Sequence, residues 1–261
     1  TSAEKEVEIK AGEDTTVMIT FGSGTIVTSA IMGEGGEPAK GGLSWKLLTE
    51  VNEEGERERF TYGYSDSESF KVPSGQYLLQ VERGSATAEK EVSVSAGETA
   101  EVTLDLNAGV WEGEAFMAES SSKAIDESGL AWTILSLPNE EGVSEKVTFS
   151  YKKAKYYLPV GTYIARVERQ ACSAEQEITI TANKITKDKL VLNGGIVHIK
   201  GKGGVKGPKI SIQDANAEEP KKDIGFAYKS ELRYALPVGD YIATFEHKDG
   251  DEKVKKEAKF S

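Results

Sequence analysis

Between Gly75 and Arg83 the chain reads GQYLLQVER, and its apolar and polar positions alternate: Tyr77, Leu79 and Val81 fall on one side, Leu78, Gln80 and Glu82 on the other. A period of two is the side-chain spacing of a β-strand, so the stretch predicts a strand with one buried and one wetted face. The same pattern returns as Tyr163, Ala165 and Val167, and again as Tyr241, Ala243 and Phe245, with Glu168 and Glu246 taking the place of Glu82 on the wet side. Each strand is preceded by a proline-glycine element, VPSG at 72–75 and LPVG at 158–161 and 236–239. Proline presets φ at the second position of a β-turn and glycine suits the fourth, so the motif predicts a turn feeding a strand.

The chain compared with itself shows a period of about 85 residues, which makes the repeat the first organising fact. Pro73 recurs as Pro159 and Pro237, and the third copy is shorter than the second by about eight residues. Gly24, Gly109 and Gly195 each open an alternating stretch, and Trp45 in LSWKLL matches Trp132 in LAWTIL. Phe60-x-Tyr62, Phe149-x-Tyr151 and Phe226-x-Tyr228 form another shared element. The segments 88–106 and 174–192 match each other and also residues 3–21, while KKEAKFS at 255–261 matches EKEVSVS. The expected organisation is therefore a closing hairpin of a preceding copy at 1–21, then sandwiches at 22–106, 107–192 and 193–261, the last short of its final strand. The alternative is that residues 1–21 are the first strands of the first sandwich. On the first division the chain reads as cut from a longer array.

Taken alone, LSWKLLTEV fits a helix as well as a strand, but its counterpart LAWTILSLPNEEG carries Thr133, Ile134 and Pro138, which suit a strand ending in a loop. Both are predicted as strands. The next turn places Ala-Gly at 96–97 and Ala-Asn at 182–183, with Ala-Gly again at 11–12. Glycine and asparagine are the residues that tolerate a left-handed backbone, so positive φ is expected there. Each copy thus reads as about seven strands in about 85 residues, the pattern of an antiparallel two-sheet sandwich. The junctions at 22–24, 107–109 and 193–195 leave only about three residues between copies, which restricts interdomain angles. With strands of about eight residues rising about 3.3 Å each, copies placed end to end reach on the order of 100 Å.

The pattern L-P-x-G-x-Y, then a strand, a hairpin and V-x-V-x-A-G-x-x-x-x-V-x-L, resembles the closing strands of transthyretin-like and Cna-B-like modules, also called carboxypeptidase-regulatory-like. These are immunoglobulin-like sandwiches found in tandem in bacterial envelope proteins. More narrowly, it resembles repeats that accompany von Willebrand A-type domains in Gram-negative bacteria. The resemblance covers the second half of each copy. Some Cna-B-like domains carry an internal Lys–Asn isopeptide bond promoted by a glutamate four residues after the motif tyrosine. Here those positions are Val81, Val167 and Phe245, and no such bond is expected.

Composition narrows the function classes. Hydrophobic residues at 38% with 27 glycines and 7 prolines describe a folded, turn-rich chain of 261 residues, long enough for more than one core. A net charge of −11, with the basic residues scattered, disfavours nucleic acid and anionic membranes, both of which select for clustered positive charge. Cys172 is the only cysteine, so neither an intrachain disulfide nor a thiol metal cluster is available. No apolar run of about 18 residues and no basic-then-apolar leader is present.

Candidate chemistry is sparse. His198 and His247 lie in different contexts and read as solvated strand residues. The glycine-rich stretches at 33–36 and 201–207 match no phosphate-binding fingerprint and read as loops. An acidic pair recurs as Glu53-Glu54, Glu140-Glu141 and Glu218-Glu219, twice within Asn-Glu-Glu-Gly; Ca²⁺ needs six to eight oxygens in a spaced loop, so solvated hairpin tips are expected. Trp45 and Trp132 read as core. Trp111, whose equivalents Ile26 and Val197 are aliphatic, is the aromatic candidate for a weak binding surface, together with Glu53, Glu54, Glu140 and Glu141.

The expectation is a non-enzymatic spacer or scaffold of the bacterial envelope, periplasmic or extracellular, with no cofactor and no metal. The alternative is an adhesion module that binds a glycan or protein through loop tips, such as 33–42, 118–129 and 201–209, or through sheet edges. Head-to-tail self-association through terminal strands would complete the open ends.

Overall fold

The computed structural model describes residues 6–9, 11–12, 14–17, 22–126, 128–202, 206–249 and 252–261. Among them are twenty strands and no helix, so the chain is all-β. In order they are β1 (Ser23–Ile31), β2 (Ser44–Thr49), β3 (Arg59–Gly63), β4 (Ser69–Pro73), β5 (Gly75–Arg83), β6 (Ala86–Val94) and β7 (Thr99–Asp105). Next come β8 (Ala108–Phe116), β9 (Ala131–Ser136), β10 (Lys146–Ser150), β11 (Ala154–Pro159), β12 (Gly161–Arg169), β13 (Cys172–Ile180) and β14 (Ile185–Val191). The last are β15 (Gly194–Lys200), β16 (Lys206–Asp214), β17 (Gly225–Ala227), β18 (Glu231–Pro237), β19 (Tyr241–Asp249) and β20 (Glu252–Phe260). The hairpin expected over residues 1–21 falls on a stretch of which 1–5, 10, 13 and 18–21 lie outside the described residues.

By density of contacts the chain divides into two compact units. The first comprises Thr1–Val110, Tyr156–Gly161 and Ile180–Ile185; the second comprises Trp111–Lys155, Thr162–Thr179 and Thr186–Ser261. In the first unit the sheets β4-β1-β7 and β3-β2-β5-β6 enclose a common core. Alternation delivers it: Ile26 and Ala30 from β1, Trp45 and Leu47 from β2, Tyr77, Leu79 and Val81 from β5, and Val102 and Leu104 from β7 are all buried. Each valine, leucine or isoleucine among them contributes about 1.5–3 kcal/mol relative to exposure. The polar Arg83 also lies on this core face. Its guanidinium stacks over the Tyr157 ring at 4.1 Å and donates to the Lys40 carbonyl and to Met32 Sδ.

In the second unit the sheets β15-β18 and β17-β16-β19-β20 pack around Ile210, Ile212, Leu232, Leu236 and Tyr241. The remaining sheet orders are β11-β8-β14 and β10-β9-β12-β13. Pairing is antiparallel through most of these sheets, but β7 lies parallel to β1, from Thr25 opposite Thr99 to Ile31 opposite Asp105. This departs from the fully antiparallel expectation. Alternation specifies which face is buried, not which strand lies alongside.

Two of the predicted turns are sheet-to-sheet corners. β4 and β5 are separated by Ser74 alone, yet β4 pairs with β1 and β5 with β2, so the proline-glycine motif moves the chain from one sheet to the other. Its tyrosine holds the bend: Tyr77 Oη donates to the Pro73 carbonyl at 2.9 Å, and Tyr241 Oη donates to that of Pro237 at 2.8 Å. Burial raises the pKa of Tyr77, Tyr163 and Tyr241 alike, because the apolar surroundings disfavour the phenolate. Likewise β6 and β7 belong to different sheets, so the expected closing hairpin at 88–106 is an arch. Its corner takes the left-handed backbone that the Gly/Asn exchange requires, with φ of 78° at Gly97 and 60° at Asn183. The true two-residue hairpin is Gly84-Ser85, between Arg83 and its partner Ala86.

Candidate functional site

The residues singled out as a weak binding surface separate in the structure. Trp111 is fully buried. Its indole N–H donates to Asp188 Oδ2 at 2.6 Å, and its ring meets Trp132 edge-on at 5.7 Å. It belongs to the interior and is not a surface reader. At the equivalent positions Ile26 is buried and Val197 half-buried, and in the second copy the site also supplies Asp188 for the indole N–H to meet.

Glu53, Glu54, Glu140 and Glu141 are exposed at loop tips, and Asn-Glu-Glu-Gly is explained by turn chemistry. Asn52 Oδ1 accepts the N–H groups of Glu54 and Glu56, and Asn139 Oδ1 those of Glu141 and Val143. Gly55 and Gly142 take φ of 82° and 76°. The asparagine caps the loop, glycine turns it, and the glutamates between face water. Among the described residues no group of three or more His, Cys, Asp or Glu side chains is placed to hold a metal ion.

The other titratable candidates are also dispersed. His198 Nε2 lies 3.3 Å from Glu231 on an exposed strand face, and His247 packs beside Phe245. Cys172 is buried and its thiol pKa is raised by desolvation, so it is a poor nucleophile. A shallow cleft of about 320 Å³ holds Asp126, Arg169 and Arg233; hydrogen bonds from Ser128 keep the Asp126 carboxyl below its usual range, with the two arginines adding to this. Of the glycine-rich stretch at 201–207, residues 203–205 lie outside the described ones.

What the structure does bring together is a set of exposed aromatic pairs. The outer strands β3, β10 and β17 of the four-stranded sheets each carry one such ring on the wet face, and a second follows two residues on, just past the strand's end. The register corrects the sequence alignment. Tyr62 lies opposite Lys46, Phe149 opposite Thr133 and Phe226 opposite Ser211, one step from the inward-facing Trp45, Trp132 and Ile210. The equivalent pairs are therefore Tyr62/Tyr64, Phe149/Tyr151 and Phe226/Tyr228, and Phe60 is the residue skipped where the β2–β3 register shifts. The second copy has the same bulge, with Val147 skipped between Lys146 and Thr148, so Tyr62 follows Trp45 at the distance at which Phe149 follows Trp132.

The pairs share one geometry. Tyr62–Tyr64, Phe149–Tyr151 and Phe226–Tyr228 sit with centroids 5.6, 5.9 and 5.7 Å apart in edge-to-face contact. Over each first ring stands a cation: Arg59 at 5.2 Å from Tyr62, Lys146 at 4.8 Å from Phe149 and Lys209 at 5.6 Å from Phe226. The first rings are 55, 54 and 55% exposed and the second 71, 71 and 75%. Exposed single apolar side chains need no explanation; the same exposed arrangement rebuilt in each copy does.

No protein-family model matches the chain, and no curated protein matches it significantly. Among solved structures it is similar to the TIE protein of Bacillus anthracis, with 17% identity and a TM-score of 0.27, over 92% of this chain and 48% of that one, so it spans about half that protein's length. It is also similar to a streptococcal ancillary pilin, with 11% identity and a TM-score of 0.32, over 90% of this chain and 95% of that one. A third similar structure is GBS52, a minor pilin of Streptococcus agalactiae, with 11% identity and a TM-score of 0.30, over 63% of this chain and 93% of that one.

Proposed function

We propose that the chain is a non-enzymatic spacer or scaffold of the bacterial cell envelope, on its periplasmic or extracellular side, built from immunoglobulin-like sandwiches at 22–106, 107–192 and 193–261. The observation that carries this reading is the way the short junctions are tied. The residue after each motif proline donates its N–H to a junction carbonyl: Ser74 to Gly22, Val160 to Asn107 and Val238 to Asn193, at 3.0, 2.9 and 3.2 Å. The following junction residue donates the other way, Ala108 to the Met32 carbonyl at 2.6 Å and Gly194 to that of Met117 at 2.8 Å. A linker hydrogen-bonded on both sides resists hinging, which is what a spacer needs and a flexible tether lacks. Pulling single molecules by their ends tests the reading. Three separate unfolding events are expected, each releasing on the order of 250–300 Å at about 3.5 Å per residue. One all-or-none event would refute it.

The alternative of an adhesion module is supported by open edges. Strand β15 pairs with β18 alone among the described residues, where β1 has β7 as a second neighbour. Beside it lies a cavity of about 740 Å³ lined by Ile196, Val197, Leu236, Tyr241 and Phe260. Residues 11–21 carry Val17, Ile19 and Phe21 where residues 96–106 carry Val102, Leu104 and Leu106, the buried side chains that face the β1 sheet's core. A second copy supplying that segment as a strand fits this edge; sedimentation showing only monomer at high concentration would exclude it.

A further inference from the structure

We propose that the repeated cation–ring–ring groups are glycan-binding platforms, with Tyr64, Tyr151 and Tyr228 each offering a ring face on which a pyranose stacks. This deepens the adhesion reading and is independent of the scaffold reading. The group has the build of a prepared site. The cation pins the first ring, the first ring meets the second edge-on, and the second ring remains 71–75% exposed. A ring already held in place loses little freedom when a ligand covers it. Tyrosine at all three outer positions joins an apolar face to a hydroxyl, the combination that a sugar ring, with its C–H face and rim of hydroxyls, can use.

Size selects among occupants. At about 150–250 Å² per aromatic side chain, two rings exposed by 55 and 71% present on the order of 250 Å² in the first copy. A stable protein partner covers about 800 Å² per side, so the platform suits a ring-sized ligand. Addition of a peptide strand is disfavoured too: β3 and β10 are five residues long and β17 only three, and short edge strands offer too few backbone partners. Beside the rings of the first copy, Lys46 Nζ and Gln80 Nε2 lie in the same wet row, bonded to Glu82 and Glu89, and supply polar groups for sugar hydroxyls.

The test is affinity electrophoresis of the full chain in gels containing laminarin, xylan or soluble chitosan, with pull-down on insoluble cellulose and chitin. Wild type is expected to bind at least one. The triple variant Tyr64→Ala, Tyr151→Ala, Tyr228→Ala is expected to lose at least about tenfold in affinity, roughly 1.4 kcal/mol. The corresponding triple Phe variant, which keeps the rings, is expected to retain most of the binding. Far-UV circular dichroism confirms that both variants keep the fold, as exposed positions should. Binding by wild type that survives the triple Ala change would overturn the platform while leaving the adhesion reading intact. Binding of none of these polymers would overturn the platform, while sedimentation would still judge strand capture at the open edge and the pulling experiment the scaffold.

Discussion

Changing Tyr77 to Phe removes one oxygen from the corner motif and leaves the ring in the core. Tyr77 is only 6% exposed, its hydroxyl donates to the Pro73 carbonyl at 2.9 Å, and that carbonyl belongs to the last residue of β4 before the chain changes sheets. A neutral hydrogen bond of this kind contributes about 0.5–1.5 kcal/mol net, and an acceptor left short of a partner in a half-buried setting moves the cost toward the upper end. We expect Tyr77→Phe to destabilise the first unit by about 1–1.5 kcal/mol, or roughly 4–12 °C for a sandwich of about 85 residues. Because the chain has more than one unit, a bulk melting curve would blur the effect. Trp45 is the one tryptophan of the first unit and is fully buried, so its ¹⁹F resonance after fluorotryptophan labelling reports that unit alone. Urea titration followed at that resonance measures the change, with Tyr64→Phe as the exposed control, expected within about 0.5 kcal/mol of wild type. If Tyr77→Phe is as neutral as Tyr64→Phe, the hydroxyl does not hold the corner, and the physical account of the proline-glycine-tyrosine motif is wrong.

Gly24→Ala is expected to cost about 1–3 kcal/mol, since a Cβ there would lie 2.3 Å from Val94 Cγ2 and 2.5 Å from the Ser95 carbonyl oxygen, whereas Gly195→Ala, with nothing within 4 Å, should be near neutral in the same denaturation assay. Trp111→Phe removes the donor to Asp188 from the interior of the second unit; a charged acceptor makes this worth about 1.5–3 kcal/mol, measurable as a lowered urea midpoint. The corner tyrosines set an alkaline limit. Their folded-state pKa values lie above the unfolded value near 10, so their contribution is complete below about pH 10 and is lost as pH rises through the folded values. Circular dichroism from pH 8 to 12 should show unfolding begin above about pH 10, and a chain carrying Phe at all three positions should show a weaker pH dependence.

Much of the fold is already implied by local patterns. Alternation alone places Tyr77, Leu79 and Val81 inside, since a strand's side chains must point to opposite faces. The exchange of Gly97 for Asn183 implies positive φ, since few other residues accept it. The repeat itself carries the expectation that what one copy does the others do. Neighbour relations escape such patterns. That β7 runs parallel beside β1, that the proline-glycine motif changes sheets, and that Trp111 meets Asp188 from 77 residues away all depend on which segments come together in space. The aromatic platform shows the limit most sharply. The F-x-Y motif contains both rings in the second and third copies, but in the first copy it points to Phe60 and Tyr62, whereas the pairing of Tyr62 with Lys46 makes Tyr62 and Tyr64 the equivalent pair, and pairing is a property of two strands at once. A single chain's periodicity records its own faces; only pairing decides what those faces confront.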